Sequence, residues 1–318
     1  MQIESLLTKA VRKRETLLAD AATNCCRLFN GAGDGVPGLT IDRYGDYILM
    51  QYFDEGLAPA TGDILAAITR VIPLLPERPL GILLKKRLKP DDTRDIASAM
   101  KSVVLEGAEP PGGYCVRQNG ILAAVDLVGG QSTGIFLDMR EVRDRLAGYY
   151  RSSDTMLNLF SYTGLFSVHA VRNGITGAVN VDLSKGVLER AKENYRLNGL
   201  KVDERDFIYG DSLEWTRRFT KKGKNFTLVI FDPPTFSRNR RRTFSTKKNF
   251  QGSLDLLNGL VEDGFVLTSV NSYSITRDEY LSFHPKGWEL EFIANESSDF
   301  THGGNPYLKA GLWRIKNS

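Results

Sequence analysis

From residue 156 to the end, short apolar runs alternate with amphipathic ones, and few folds accept that alternation. The runs 156–160, 178–181, 206–209, 226–231 and 265–270 are strand-length, largely apolar and partly β-branched, as buried parallel strands are. Helical spacing fills the intervals at 165–172, 185–197 and 250–262. Asp211 with Glu214, and Thr276 with Glu279, have the spacing of capping boxes. Two last strands, 289–294 and 307–315, read as an antiparallel close. This order predicts an α/β, Rossmann-like doubly wound sheet, mostly parallel with an antiparallel last strand.

Ligands of such sheets gather at the carboxyl ends of the strands, and here those ends are polar. The fourth run stops at Asp232-Pro233-Pro234, where neither proline can extend a ladder and each restrains the residue before it. The first ends at Asn158 and the loop Ser161-Tyr162-Thr163-Gly164, the second at Asp182, the third at Asp211. An acid about twenty residues past the first loop can accept hydrogen bonds from ribose hydroxyls. Singly, Asp182 and Asp211 read equally well as strand-end caps. On adjacent strands they read better as a nucleoside pocket.

The first loop narrows the nucleoside. A dinucleotide needs Gly-x-Gly-x-x-Gly so that pyrophosphate can approach the backbone. This loop has one glycine, Gly164, and two aromatics, Phe160 and Tyr162. It suits a cofactor without phosphates, S-adenosyl-L-methionine, and not NAD. The two rings serve either as packing or as a face for a sulfonium.

Charge is spread unevenly along the 318 residues. The net is +4, yet between Arg217 and Lys248 stand eleven Lys/Arg and one acid, leaving the remainder at −6. Such a block reads as solvated surface or as a phosphate footprint. Because it brackets Asp232, the second reading is preferred, with RNA as partner. The segment Arg238-Asn239-Arg240-Arg241-Arg242-Thr243-Phe244 is too dense in like charge to pack and is expected to stay unstructured until it meets phosphates. Three cysteines (Cys25, Cys26, Cys115) have neither zinc nor disulfide spacing. The first residues lack a signal peptide's apolar core, and no apolar run nears the roughly 18 residues of a membrane span. The expectation is a reduced, metal-free, cytoplasmic protein.

The first third reads as a small α+β domain, 1–112. It has helical spacing over residues 1 to 20, a hairpin at 39–53 turning on Gly45-Asp46, a helix at 60–72 and a strand at 81–85. The glycine-rich stretch from Gly31 to Gly38 lacks a Gly-Lys-Ser/Thr ending and precedes a strand, which excludes a phosphate cradle. A hairpin turning at Asn119-Gly120 leads a second domain, 113–318.

Six motifs then occur in order: Gly134-Ile135-Phe136-Leu137-Asp138-Met139-Arg140, Leu157 to Gly164, Val181-Asp182-Leu183-Ser184, Leu197-Asn198-Gly199-Leu200, Gly210-Asp211, and Asp232-Pro233-Pro234-Thr235-Phe236-Ser237. Together they resemble the class I methyltransferase domain of bacterial 23S ribosomal RNA methyltransferases, a family with cytosine-C5 and guanine-N7 members. The match covers 115–318. Residues 34–45 also look like the family's central domain, while no PUA domain is expected ahead of it. The resemblance implies that Phe136, Asp138 and Arg140 line the cofactor's methionine side, with Ser161, Thr163 and Gly164 beneath it. It implies further that Asp182 holds the ribose, Asp211 the adenine amino group, and that Asp232 with Pro233 and Pro234 sits at the transferred methyl. Asn158, Phe160, Tyr162, Leu183, Ser184, Asn198 and Ser212 complete the implied cofactor set.

The acceptor atom follows from chemistry. Carbon-5 of a pyrimidine becomes nucleophilic only after a thiolate adds to carbon-6. No cysteine occurs from 116 to 318; after the fifth strand stands Asn271. Guanine N7 already carries a lone pair and needs only placement and stacking, for which Phe236 and Asn271 are the candidates. Phe236 also reads as loop packing. Arg238, Arg240, Arg241, Arg242, Lys247 and Lys248 are expected to meet RNA phosphates. The reading is therefore an S-adenosylmethionine-dependent 23S rRNA methyltransferase acting at guanine N7. The alternatives are a cytosine-C5 enzyme, a non-RNA N-methyltransferase, and an RNA-binding scaffold without catalysis.

Overall fold

The computed structural model describes residues 2–87, 101–130, 132–234, 236–238 and 243–316. They form two compact units, Met1–Arg140 with Ser297–Gly304, and Glu141–Glu296 with Asn305–Ser318. The sequence expectation divided the chain at residue 112. By contacts, the Asn119-Gly120 hairpin and the stretch up to Arg140 pack with the first unit.

The first unit is built on a five-stranded sheet in the order β1 (Cys25–Asn30), β2 (Leu39–Tyr44), β3 (Tyr47–Tyr52), β4 (Gly81–Lys86), β5 (Val103–Gly107). β3 and β4 are parallel, joined through helix α2 (Thr61–Val71); the other pairs are antiparallel. Helix α1 (Gln2–Arg12) lays Leu7, Ala10 and Val11 on the same core as Ile64, Ile68 and Val71 of α2. The helical spacing expected to residue 20 breaks after Arg12 and resumes for one turn, Glu15–Leu18. Arg14 is the reason: its buried guanidinium turns inward to the Ala10 carbonyl (2.8 Å), the Asp34 carboxylate (2.6 Å) and the Asp299 carbonyl. By length and composition alone, Glu55–Leu74 is apolar enough to cross a membrane, which the sequence reading did not foresee. Pro59 lies within it, and its central part is α2, whose Ile64, Ala67, Ile68 and Val71 are buried in the core. A second sheet pairs β6 (Cys115–Gln118) with β7 (Ile121–Ala124). Asn119 (φ 51°) and Gly120 (φ 75°) both take the left-handed conformation that an inverted two-residue turn requires.

The second unit carries a seven-stranded sheet in the order β10-β9-β8-β11-β14-β16-β15. Its strands are β8 (Thr155–Leu159), β9 (Gly177–Asp182), β10 (Phe207–Tyr209), β11 (Leu228–Phe231), β14 (Asp263–Asn271), β15 (Glu289–Ala294) and β16 (Leu308–Lys316). The first five are parallel; β16 runs antiparallel between β14 and β15. This is the doubly wound sheet read from the sequence. Preceded by α3 (Arg140–Leu146), the helices are α4 (Leu165–Arg172), α5 (Lys185–Leu197), α6 (Ser212–Lys221), α7 (Thr246–Leu257) and α8 (Arg277–Ser282). Leu157, Leu159, Val229, Phe231 and Val266 are buried on one face and Met156, Leu228, Ile230 and Leu267 on the other, as a sheet covered on both faces demands.

Two local expectations are corrected. The helix expected at 250–262 is Thr246–Leu257, and β14 already begins at Asp263. Gly264 permits that early start: a Cβ there would stand 2.2 Å from the Thr227 carbonyl oxygen, and the neighbouring Phe265 N–H donates to that same oxygen at 2.8 Å. The basic segment is not wholly unstructured. β12 (Phe236–Arg238) pairs antiparallel with β13 (Thr243–Ser245), and a ladder satisfies the backbone whatever charge the side chains carry.

Candidate active site at the carboxyl edge of the second sheet

Strand order reverses between β8 and β11, since β8 leads outward to β9 and β10 while β11 leads to β14. A crevice at such a switch point is where an open α/β sheet binds ligands. Asp182, Asp211 and Asp232 all stand at or just beyond this edge.

The loop after β8 is held in an unusual backbone. Phe160 (φ 56°), Tyr162 (φ 49°) and Gly164 (φ 72°) are all left-handed. For the two aromatic residues that conformation costs about 1–3 kcal/mol each, so it persists only where the surroundings impose it. They do impose it. The Phe160 N–H donates to Ser212 Oγ (3.0 Å), the Ser161 N–H to the Val181 carbonyl (3.0 Å) and the Tyr162 N–H to Asp182 Oδ2 (3.0 Å). Asn194 Nδ2 donates to the Thr163 carbonyl at 2.8 Å. Gly164 lies against α5, where a Cβ would meet that of Ala191 at 3.1 Å. The Phe160 ring packs edge-on against Phe231, 5.7 Å between centroids.

Asp182 ends β9 with each carboxylate oxygen already engaged once, Oδ2 by Tyr162 and Oδ1 by the Ser184 N–H at 2.9 Å. Burial pushes its carboxyl up, and the N–H groups of Ser184, Tyr162 and Leu183 pull the other way. A carboxylate has about four acceptor sites, which leaves room for a ligand hydroxyl beside these three donors. Asp211 caps α6 through Glu214 N–H (2.9 Å), as the box spacing predicted, and Gly210 N–H ties β10 to the Asp182 carbonyl. Among the described residues, Ser161 Oγ is buried with no hydrogen-bond partner. An orphaned hydroxyl in this loop, one residue before the N–H that donates to Asp182, fits a polar nucleoside ligand such as S-adenosylmethionine.

Asp232 follows β11 and is half buried, with Pro233 buried and Pro234 exposed behind it. Because Phe231 pairs with Thr268, Asp232 falls beside Ser269 of β14, whose fully buried hydroxyl donates to Asp232 Oδ1. Sequence reasoning missed Ser269. Its one signal was a pair of hydroxyl residues, Thr268 and Ser269, inside an otherwise apolar strand. Adjacent strand residues point to opposite faces, and Thr268 accordingly turns the other way. It meets His284 Nε2 (2.8 Å), Tyr280 OH (2.5 Å) and Trp313 Nε1 (3.2 Å) under α8. Burial pushes the His284 imidazole down to about 4.

The other expected site residues separate into groups. Leu183 is 36% exposed beside Asp182, and Ser184 caps α5 through the Val187 N–H. Asn158 is buried inside the sheet, donating to Ser167 Oγ (3.0 Å) within a network that includes Asn180. Asn198 closes the far end of α5 by donating to the Asn194 carbonyl. Asn271 is the exposed last residue of β14. Phe136, Asp138 and Arg140 belong to the first unit. There Phe136 is 45% exposed, the Asp138 carbonyl accepts from Ser297, and Arg140 pairs with Asp299 at 2.9 Å. The side chains of Phe236, Arg238, Lys247 and Lys248 lie outside the described structure, as do Arg240, Arg241 and Arg242 altogether. Among the described residues no cluster of His, Cys, Asp and Glu is arranged to hold a metal ion.

Residues 27–293 match the family described as S-adenosylmethionine-dependent methyltransferase. YwbD of Bacillus subtilis is 35% identical over 283 residues, which is 88% of this chain and 69% of that protein. Ribosomal RNA large subunit methyltransferase I of Aliivibrio fischeri (strain MJ11) is 32% identical over 240 residues; the match spans 74% of this chain and 58% of that one. Among solved structures, the methyltransferase SMU.776 complexed with SAH superposes with a TM-score of 0.88 at 27% identity, covering 99% of this chain and 81% of that one.

Proposed function

The chain belongs to the S-adenosylmethionine-dependent methyltransferase family, and from that premise we propose that it methylates large-subunit (23S) ribosomal RNA in the cytoplasm, at N7 of a guanine. The cofactor supplies an electrophilic methyl group on a sulfonium. Asp182 holds the ribose hydroxyls, Ser161 offers its unpartnered hydroxyl, and the loop 160–164 supplies a backbone already fixed in shape. Phe136, Asp138 and Arg140 are proposed for the methionine end, as the family resemblance implies. Asp232, braced by Ser269 and followed by two prolines, holds the edge of the acceptor base.

The choice of RNA rests on two observations: the relative named for large-subunit rRNA, and the local excess of +10 around Asp232. Neutralising phosphates releases counterions, so binding should weaken steeply with salt. Arg238, Arg240, Arg241, Arg242, Lys247 and Lys248 are the proposed contacts.

The choice of N7 rests on the missing thiol, the single observation that carries the acceptor assignment. All three cysteines fall in the first unit, and the unit bearing Asp232 has none. Cys26 is an unfit nucleophile in any case, its thiol pushed up to about 12 by burial. N7 brings its own lone pair and releases no proton, so a site of placement and stacking suffices.

The test is transfer of tritium from labelled S-adenosylmethionine to protein-free 23S rRNA, followed by nucleoside analysis. The reading predicts label in 7-methylguanosine, and its loss in Asp232→Ala. Label in 5-methylcytidine contradicts the N7 assignment, and no label in RNA contradicts the substrate.

A further inference from the structure

Beyond Asn271 the chain turns out through Ser272-Tyr273-Ser274 before α8 begins. Tyr273 is 66% exposed, more than any other large hydrophobic side chain among the described residues. An exposed tyrosine on a loose loop would mean little, but this loop is pinned from several sides. The Ser272 N–H donates to the Tyr307 carbonyl at 2.8 Å, and Lys309 Nζ donates to the Ser272 carbonyl at 2.9 Å. On the facing segment, Glu296 accepts from the N–H groups of Tyr307 (3.4 Å) and Leu308 (3.1 Å). The Ser274 N–H closes the turn onto Ser272 Oγ at 3.2 Å. Glu296 and Lys309 are themselves buried. Burying a charge is costly unless it is hydrogen-bonded, and here both charges are used to hold backbone. What they fix in place is an aromatic pair, Tyr273 edge-on to Tyr307 with centroids 5.5 Å apart.

The pair stands on the edge that carries Asp232. β11 and β14 are parallel neighbours, and Tyr273 lies five residues past Thr268, the partner of Phe231. A base brought to Asp232 must leave its stack, which strips its neighbour of a stacking partner. A rigid aromatic ring at the rim can take that partner's place, and every base offers a π-face for it.

We propose that Tyr273, backed by Tyr307, is a stacking platform for the nucleobase next to the methylated one. This rests on RNA being the substrate and adds a second contact beyond the phosphate footprint. Because a stack adds no charge neutralisation, its loss should lower affinity without changing the salt dependence.

The experiment measures KM and kcat for methyl transfer to 23S rRNA, and the affinity for a single-stranded RNA oligonucleotide across a salt series, for wild type, Tyr273→Ala and Tyr273→Phe. Titration with S-adenosylhomocysteine confirms in each case that the cofactor site is intact. The expected result is a loss of about tenfold or more in RNA affinity for Tyr273→Ala, within the range of one base–aromatic stack. The slope of affinity against salt should be unchanged, and the phenylalanine variant should retain affinity. Wild-type RNA affinity in Tyr273→Ala overturns the platform, as does an equal loss in Tyr273→Phe. If the wild-type enzyme transfers no methyl to RNA, the underlying reading fails and this one with it; transfer by wild type with an indifferent Tyr273 sinks the platform alone.

Discussion

Ser269 shows what a single hydroxyl can do at the edge of a sheet. Its donation to Asp232 Oδ1 fixes the carboxylate's rotation at the end of β11. A hydrogen bond to a charged group is worth about 1.5–3 kcal/mol. Ser269→Ala should therefore lower kcat by roughly tenfold or more while leaving S-adenosylhomocysteine affinity within about twofold of wild type, as steady-state kinetics and calorimetry can check. Gly164 carries a different constraint. Its φ of 72° and the 3.1 Å approach to Ala191 mean that Gly164→Ala both strains the backbone and crowds α5. A loss of about 1–3 kcal/mol of stability is expected, read as a lower urea midpoint. The glycine was legible in the sequence as part of a loop motif. Ser269 was not, because its partner is 37 residues away and only the β11–β14 register brings the two together.

Among the elements, strands and helices of the second unit were readable because apolar spacing and caps agree. α4 and α5 have the expected bounds, and the boxes opening at Asp211 and Thr276 both form their predicted cap. Asp211→Ala should remove one such cap at a cost of about 1 kcal/mol, measurable by thermal unfolding. The left-handed Phe160 and Tyr162 were beyond the sequence. Nothing in an aromatic residue announces a positive φ; it is forced by Ser212, Val181 and Asp182, which arrive from other strands and helices. The β12–β13 pairing was missed for a related reason, since charge density describes side chains while the ladder is made by the backbone. Asn158 and Asn198 mark the limit of motif reading. One lies in a buried network with Ser167 and Asn180 that local spacing does not announce, and the other closes a helix by donating to the carbonyl four residues back.

At the scale of the whole molecule, the sheet order follows from strand–helix alternation, but the contact-based units do not. Ser297–Gly304 lies between β15 and β16 of the second unit yet packs with the first, where Asp299 meets Arg140, Arg27 and Arg14. The second unit also carries a pH response. Burial lowers both His169 and His284 to about 4. Above about pH 6.5 both are neutral whether folded or unfolded and contribute no pH dependence. As pH falls from about 6.5 toward 4, the unfolded chain takes up protons that the folded one refuses, so stability drops by up to about 3 kcal/mol per histidine. Urea midpoints followed over that window should fall with pH, and His284→Asn should make the fall shallower. Whether the nucleoside of the methyl donor sits on Asp182, at the end of β9 beside the switch point, can be read by calorimetric titration with S-adenosylhomocysteine. Wild type should bind and Asp182→Ala should lose at least tenfold in affinity, with far-UV dichroism unchanged. Equal affinity in the two proteins would contradict it.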